Sequence, residues 1–188
     1  FSAKTGRPYG TFIGLEAERF YDISDFDNAG NLKVGIPTPA FGAVQPGDVK
    51  YKDLDKNGVV DQNDVTAVGK SPYPEWYFSF GGKIAYKGFD LEVLFQGAAG
   101  MSVNILDNKN QVMAFVNNGN AYEIAKGAWA YYPAQGIDTR ATARYPRLTT
   151  QSNENNYQTS SMWVKNADYL KLRNLELGYN FDARKLQQ

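Results

Sequence analysis

The 188-residue sequence predicts an all-β protein of antiparallel strands joined by connections of very unequal length. Three observations carry that expectation. Apolar and polar residues alternate with a period of two from Glu75 to Tyr86 and again from Phe89 to Gln96. Only Lys87-Gly88 separates the two runs, a connection short enough for a hairpin and containing a glycine that can take positive φ. Around them lie two polar stretches, 21–74 and 100–161, rich in Asn, Gly, Pro, Ser and Thr. Loops of that length are uncommon inside compact domains and are usually functional.

In chain order, a first strand is expected over roughly 9–20, where Tyr9, Ile13 and Leu15 support the pattern while Gly10 and Gly14 weaken it. The long segment 21–74 follows. In the hairpin 75–99, Trp76, Phe78, Phe80, Gly82, Ile84 and Tyr86 share one parity, and Phe89, Leu91, Val93 and Phe95 continue that apolar face beyond the turn. The opposite parity carries Glu75, Lys83, Asp90, Glu92 and Gln96, unusual lining for a soluble core. After the second long segment, 100–161, a last strand occupies 162–181. Leu170 and Leu172 lie on one parity there and Leu175, Leu177, Tyr179 and Phe181 on the other, so a bulge near Arg173-Asn174 would bring them onto one face.

Alternation of short turns with long loops is the habit of outer-membrane barrels, whose strands run about ten residues with apolar side chains outward and polar ones inward. A soluble β-sandwich alternates its hairpins in the same way, and on pattern alone both readings stand. Four strands cannot close a barrel, since the smallest bacterial ones need about eight, so the barrel reading makes the chain a segment of something larger. The start, Phe1-Ser2-Ala3-Lys4, agrees with a chain that begins in mid-protein, being neither an initiator Met nor a signal peptide.

Composition closes several functional classes. Twenty Lys plus Arg balance twenty Asp plus Glu, which leaves no summed positive field for nucleic acid. Without Cys or His the chain has no disulfides, no thiolate or imidazole metal ligands, and no nucleophile or base of those types. No spacing isolates a pair of carboxylates for acid-base work, and no catalyst is expected.

Chemistry concentrates between Asp53 and Asp64, which read Asp-Leu-Asp-Lys-Asn-Gly-Val-Val-Asp-Gln-Asn-Asp. Asp53, Asp55 and Asn57 fall at positions 1, 3 and 5 of a twelve-residue calcium loop, Gly58 at the sharp turn, the Val59 carbonyl at 7, Asp61 at 9 and Asp64 at 12. Hard oxygen ligands at alternate positions suit Ca2+ because the backbone curls around the ion. Position 12 is Asp where Glu is usual, and the flanks read as extended, so a calcium loop without its helix pair is expected. The competing reading is an Asx-rich turn that binds nothing. Trp129, Tyr131 and Tyr132, in the second long segment, could stack on a sugar ring or a peptide side chain, or pack that segment against its neighbours.

Several blocks closely resemble the C-terminal barrel region of SusC/RagA-type TonB-dependent outer-membrane transporters of Bacteroidota. They are Gly47-Asp48-Val49-Lys50-Tyr51-Lys52-Asp53 with the Asp-rich loop, Ser71-Pro72-Tyr73-Pro74-Glu75, Tyr86-Lys87-Gly88-Phe89-Asp90-Leu91 and Phe95-Gln96-Gly97. Ala143 to Leu148, Tyr169 to Tyr179 and Gly6-Arg7-Pro8-Tyr9-Gly10 are similar to further blocks, in the family's order.

The resemblance implies a segment of a twenty-two-stranded barrel. Its complete form carries an N-terminal plug, is capped by a SusD-like lipoprotein, and imports glycans or peptides with energy delivered by TonB. Residues 1–188 would then be a C-terminal wall segment lying in outer-membrane lipid, with 21–74 and 100–161 as extracellular loops and 53–64 as a structural Ca2+ site. Plug and TonB-contacting regions are not represented, and Arg184 to Gln188 would stop short of the closing strands. The alternative is a secreted, soluble, calcium-stabilised β module that binds a ligand or partner.

Overall fold

The computed structural model describes residues 5–181; residues 1–4 and 182–188, including the Arg184 to Gln188 end, lie outside the described residues. In chain order the strands are β1 (Phe12–Gly14), β2 (Ala17–Phe20), β3 (Thr38–Pro39), β4 (Val49–Tyr51), β5 (Val59–Val60), β6 (Thr66–Gly69), β7 (Trp76–Tyr86), β8 (Phe89–Ala99), β9 (Ser102–Asn104), β10 (Tyr131–Tyr132), β11 (Ile137–Asp138), β12 (Val164–Asn166) and β13 (Tyr169–Tyr179). Only β7, β8 and β13 are long, at 11 residues each, and they form one antiparallel sheet in the order β13-β8-β7.

The β7–β8 turn is tight because Lys87 (φ 48°) and Gly88 (φ 90°) both take left-handed backbone. Two positive φ angles make a type I′ turn, whose twist matches that of the strands it joins. Phe80 therefore lies opposite Phe95, with rings stacked at 5.2 Å, and Ile84 lies opposite Leu91. Between β8 and β13 the register shifts at Arg173: Leu172 pairs with Phe95, and Leu175 and Leu177 pair with Val93 and Leu91. The bulge keeps every leucine of β13 on the face that carries Phe80, as the parity change in the sequence demands.

That face is apolar from edge to edge and uncovered: Phe80 is 54%, Ile84 70% and Leu177 73% exposed. The other face carries charge, with the Lys83 ammonium 3.9 Å from Asp90 and 4.0 Å from Glu92. A sandwich would bury its apolar face under a second sheet about 10 Å away. Among the described residues no second sheet packs on either face, and the soluble-sandwich reading lacks its core.

The remaining strands and the two long polar segments fold together at the end of the sheet opposite the turn. They are irregular, yet among the described residues they hold three small cores: Leu15, Val49, Tyr51 and Val60; Tyr21, Phe26 and Val44; and Leu106, Val112 and Trp163. Segment 9–20 differs from the single strand expected. It breaks at Leu15, whose amide donates to Thr159 O (2.9 Å) and whose carbonyl accepts from Ser161 N (3.0 Å), so that β1 pairs with β6 and β2 with β4. Gly14 allows this, since its backbone lies in contact with Thr159 where a Cβ would not fit. The last strand is likewise interrupted. The Asp168 carboxylate accepts from Gly100 N (2.8 Å) and Met101 N (3.1 Å), dividing the long pairing of β8 and β13 from the short β9–β12 pairing beyond it.

Candidate functional site

The Asp-rich loop closes on itself. Val49–Tyr51 leads in as a strand, a three-residue 3-10 turn over Gln62–Asp64 follows, and β6 leads out, so the loop stands without flanking α-helices. Carboxylate oxygens of Asp53, Asp55 and Asp64 lie within 4.8 Å of one another, near enough for one cation to touch all three. Asp64, fully buried, anchors the group: one oxygen accepts from Leu54 N (2.6 Å) and the other from Asp61 N (2.8 Å). At the open side Asp53 accepts from Gly58 N (2.8 Å) and Asn57 N (3.2 Å). Desolvation pushes the Asp53 carboxyl upward, but the amides of Gly58, Lys56 and Asn57 together with Asp55 outweigh it and hold the group below the ordinary aspartate range. Gly58 turns the chain at φ 86°, a region closed to most side chains.

The other positions fit less completely. Asn57 spends its side-chain oxygen on Val59 N (2.7 Å), and Asp61 caps the 3-10 turn through Asn63 N (2.6 Å); neither belongs to the carboxylate group. At β5, the Gly58 and Val60 carbonyls accept from Thr38 N (3.0 Å) and Ala40 N (2.9 Å). Successive carbonyls of an extended strand point to opposite sides, which turns the Val59 carbonyl away from β3. Three hard carboxylates and no sulfur or imidazole make a donor set for a hard cation of the Ca2+ or Mg2+ kind.

Trp129, Tyr131 and Tyr132 do not form one aromatic surface. Trp129 covers Gly47, packing the second long segment onto the first. Tyr131 lies beneath the Arg140 guanidinium, 4.0 Å from ring centre to Cζ, and Tyr132 is 57% exposed.

Sequence reasoning missed the network that joins the two long segments. Asp48 is fully buried; its carboxylate accepts from Arg147 Nε (2.7 Å), Asn156 Nδ2 (2.9 Å) and Gln45 N (2.8 Å). Asn156 Oδ1 accepts from Val49 N (2.8 Å), the Tyr51 hydroxyl donates to Asn155 O (2.7 Å), and the Trp163 indole donates to Asn156 O (2.6 Å). Asp48 and Arg147 each stand in a block noted above, but nothing local pairs two residues 99 positions apart.

No family model matches the sequence. Two curated proteins of Formosa agariphila are similar to it. TonB-dependent receptor P3 is 27% identical over 177 residues, 94% of this chain and 16% of that protein. TonB-dependent receptor P26 is 27% identical over 140 residues, 74% of this chain and 13% of that protein. Among solved structures, the RagAB peptide importer in its closed-closed state aligns with a TM-score of 0.52 at 18% identity, over 94% of this chain and 17% of that one. The chain thus spans about a sixth or less of these proteins, and its sheet and loops have the fold of a TonB-dependent receptor segment.

Proposed function

We propose that this chain, similar in sequence and fold to SusC/RagA-type TonB-dependent receptors, forms part of the wall and outer cap of an outer-membrane nutrient importer. On this reading the complete receptor takes up glycans or peptides with a SusD-like lipoprotein and draws energy from TonB through regions outside this sequence. One observation carries it: a three-stranded sheet with one apolar and one charged face, both open. Ten steps of about 3.3 Å, tilted about 40°, span about 25 Å along the membrane normal, the height of the apolar band of such barrels. Trp76 stands at one end of that band and Tyr86, Phe89 and Tyr179 at the other, suiting the two interfaces. The apolar face then meets lipid, Lys83, Asp90 and Glu92 meet the hydrated interior, and 21–74 and 100–161 lie outside the cell. Uptake of labelled oligosaccharides and oligopeptides tests the reading in cells with and without the full-length receptor. TonB-dependent uptake of one class is expected, and identical uptake by both strains contradicts it.

The Asp-rich loop, on the same reading, holds one structural Ca2+ through Asp53, Asp55, Asn57, the Val59 carbonyl, Asp61 and Asp64, with ligand distances of about 2.3–2.6 Å. The grouping of Asp53, Asp55 and Asp64 supports it. Asn57 and Asp61 join the group with the lone pairs their amide contacts leave over, so coordination tightens the loop. Calorimetric titration of the chelator-treated receptor with Ca2+ should show one site that Asp55→Ala removes; equal titrations would leave an Asx turn. Trp129, Tyr131 and Tyr132 belong to the outward surface near lipoprotein or cargo, with Tyr132 the most available. Replacing all three by Ala should reduce uptake or lipoprotein association while the barrel still assembles.

A further inference from the structure

Where the start of β2 meets Ser161 lies a cavity of about 410 Å3, bordered by Glu18, Arg19, Arg144, Tyr145, Ser161 and Lys165. Its polar groups are almost all donors. Arg144 and Lys165 have no ion-pair partner among the described residues. Ser161 Oγ accepts from Ala17 N (2.9 Å), which leaves its own hydrogen to give. The Tyr145 ring is fixed by stacking on Trp163 at 5.9 Å, and its hydroxyl has no hydrogen-bond partner among the described residues.

Glu18, the one acidic side chain on this border, is already engaged by Lys50 (3.4 Å) and Arg19 (3.9 Å), while Arg19 is held bidentate by Asp25 at 2.6 and 2.7 Å. The chain as a whole is charge-balanced, so two unpaired cations on one concave surface are a local excess. Partial burial, with no compensating charge, holds the Lys165 ammonium below the ordinary lysine range.

We propose that this cavity is an oxyanion subsite, in which Arg144 and Lys165 grip a carboxylate or sulfate group of a larger ligand while Tyr145 and Ser161 donate to its oxygens. A guanidinium presents a fork that matches such a group, and the ammonium adds a second charge from another element. The proposal takes the importer reading as its premise and adds that the cargo is acidic.

The test uses the full-length receptor in detergent and measures binding by calorimetry. Four probes separate the two sources of an oxyanion: a uronic-acid oligosaccharide, its carboxyl-reduced neutral counterpart, a short peptide with a free C-terminal carboxylate, and the same peptide amidated. At least one acidic probe should bind tenfold or more tightly than its neutral partner, with inorganic sulfate competing. The double variant Arg144→Gln, Lys165→Gln should lose that preference, and Arg144→Lys should retain much of it. Preference for the uronate assigns the subsite to an acidic glycan, and preference for the free peptide assigns it to a peptide terminus. No preference for either acid, or a preference that survives in the double variant, overturns the subsite. TonB-dependent uptake of a neutral cargo, unchanged in the double variant, would leave the importer standing while the subsite falls.

Discussion

Asp48 shows how much a single residue can depend on distant sequence. Its buried carboxylate is compensated by Arg147 from the other long segment, so removing the guanidinium strands a charge in a dry site. Breaking such a pair costs about 3–5 kcal/mol. Arg147→Ala should therefore lower the urea midpoint of the loop cap, monitored by Trp163 fluorescence in the full-length receptor, whereas Arg140→Ala, at an exposed pair, should change it little. Trp163 itself is fully buried between Tyr145 and Tyr157, and truncating it to Ala should cost about 3–5 kcal/mol by the same assay with intrinsic tyrosine fluorescence as the probe.

Asp25 and Tyr21 each make the stability of the cap depend on pH. Asp25 is held below the ordinary aspartate range, first by its hydrogen bonds from Arg19. A depressed carboxyl contributes stability above the unfolded value, near pH 4, which is lost as pH falls through the lower folded value. Burial pushes the Tyr21 hydroxyl up to about 12, so its contribution is complete below about pH 10 and is lost as pH rises toward that value. Amide hydrogen exchange of the cap, at constant salt, should show protection failing at both ends. An Arg19→Gln variant should narrow the acid end; a midpoint that does not move would contradict the role given to that pair.

At the scale of elements, the hairpin was legible because a period of two and a two-residue turn are local signals, and Phe78 to Phe95 already display them. The bulge was legible for the same reason: the leucines of β13 change parity once, at Arg173. The strand expected over 9–20 was misjudged because the partner that breaks it, Thr159 to Ser161, lies in a segment without periodicity. The cores of the cap were not readable either. Leu15 packs with Val49 and Val60, Trp163 with Leu106 and Val112, and Tyr51 hydrogen-bonds to Asn155, and no local pattern announces partners so far along the chain. The carboxylates of Asp53, Asp55 and Asp64 gather within one twelve-residue loop, and that grouping is local enough to read from the sequence. The Arg173 bulge predicts its own test: deleting that residue moves Leu175, Leu177 and Tyr179 to the charged face or forces the strand to slip, and the receptor should fail to reach the outer membrane in folded form.

For the whole molecule the central claim is that the open apolar face of β7, β8 and β13 belongs in lipid. Arg at Phe80 or Val93 should cost about 2–4 kcal/mol near the bilayer midplane, and Arg at Ser79 or Glu92 much less. A buried soluble core would also resist Arg, so charge tolerance alone does not separate the cases. Lipid contact does. A fluorophore placed singly at Phe80, Val93, Ser79 and Glu92 of the full-length receptor, reconstituted in vesicles, would be challenged with a bilayer-soluble quencher. The account predicts quenching at Phe80 and Val93 and little at Ser79 and Glu92; absence of quenching at all four positions would contradict it.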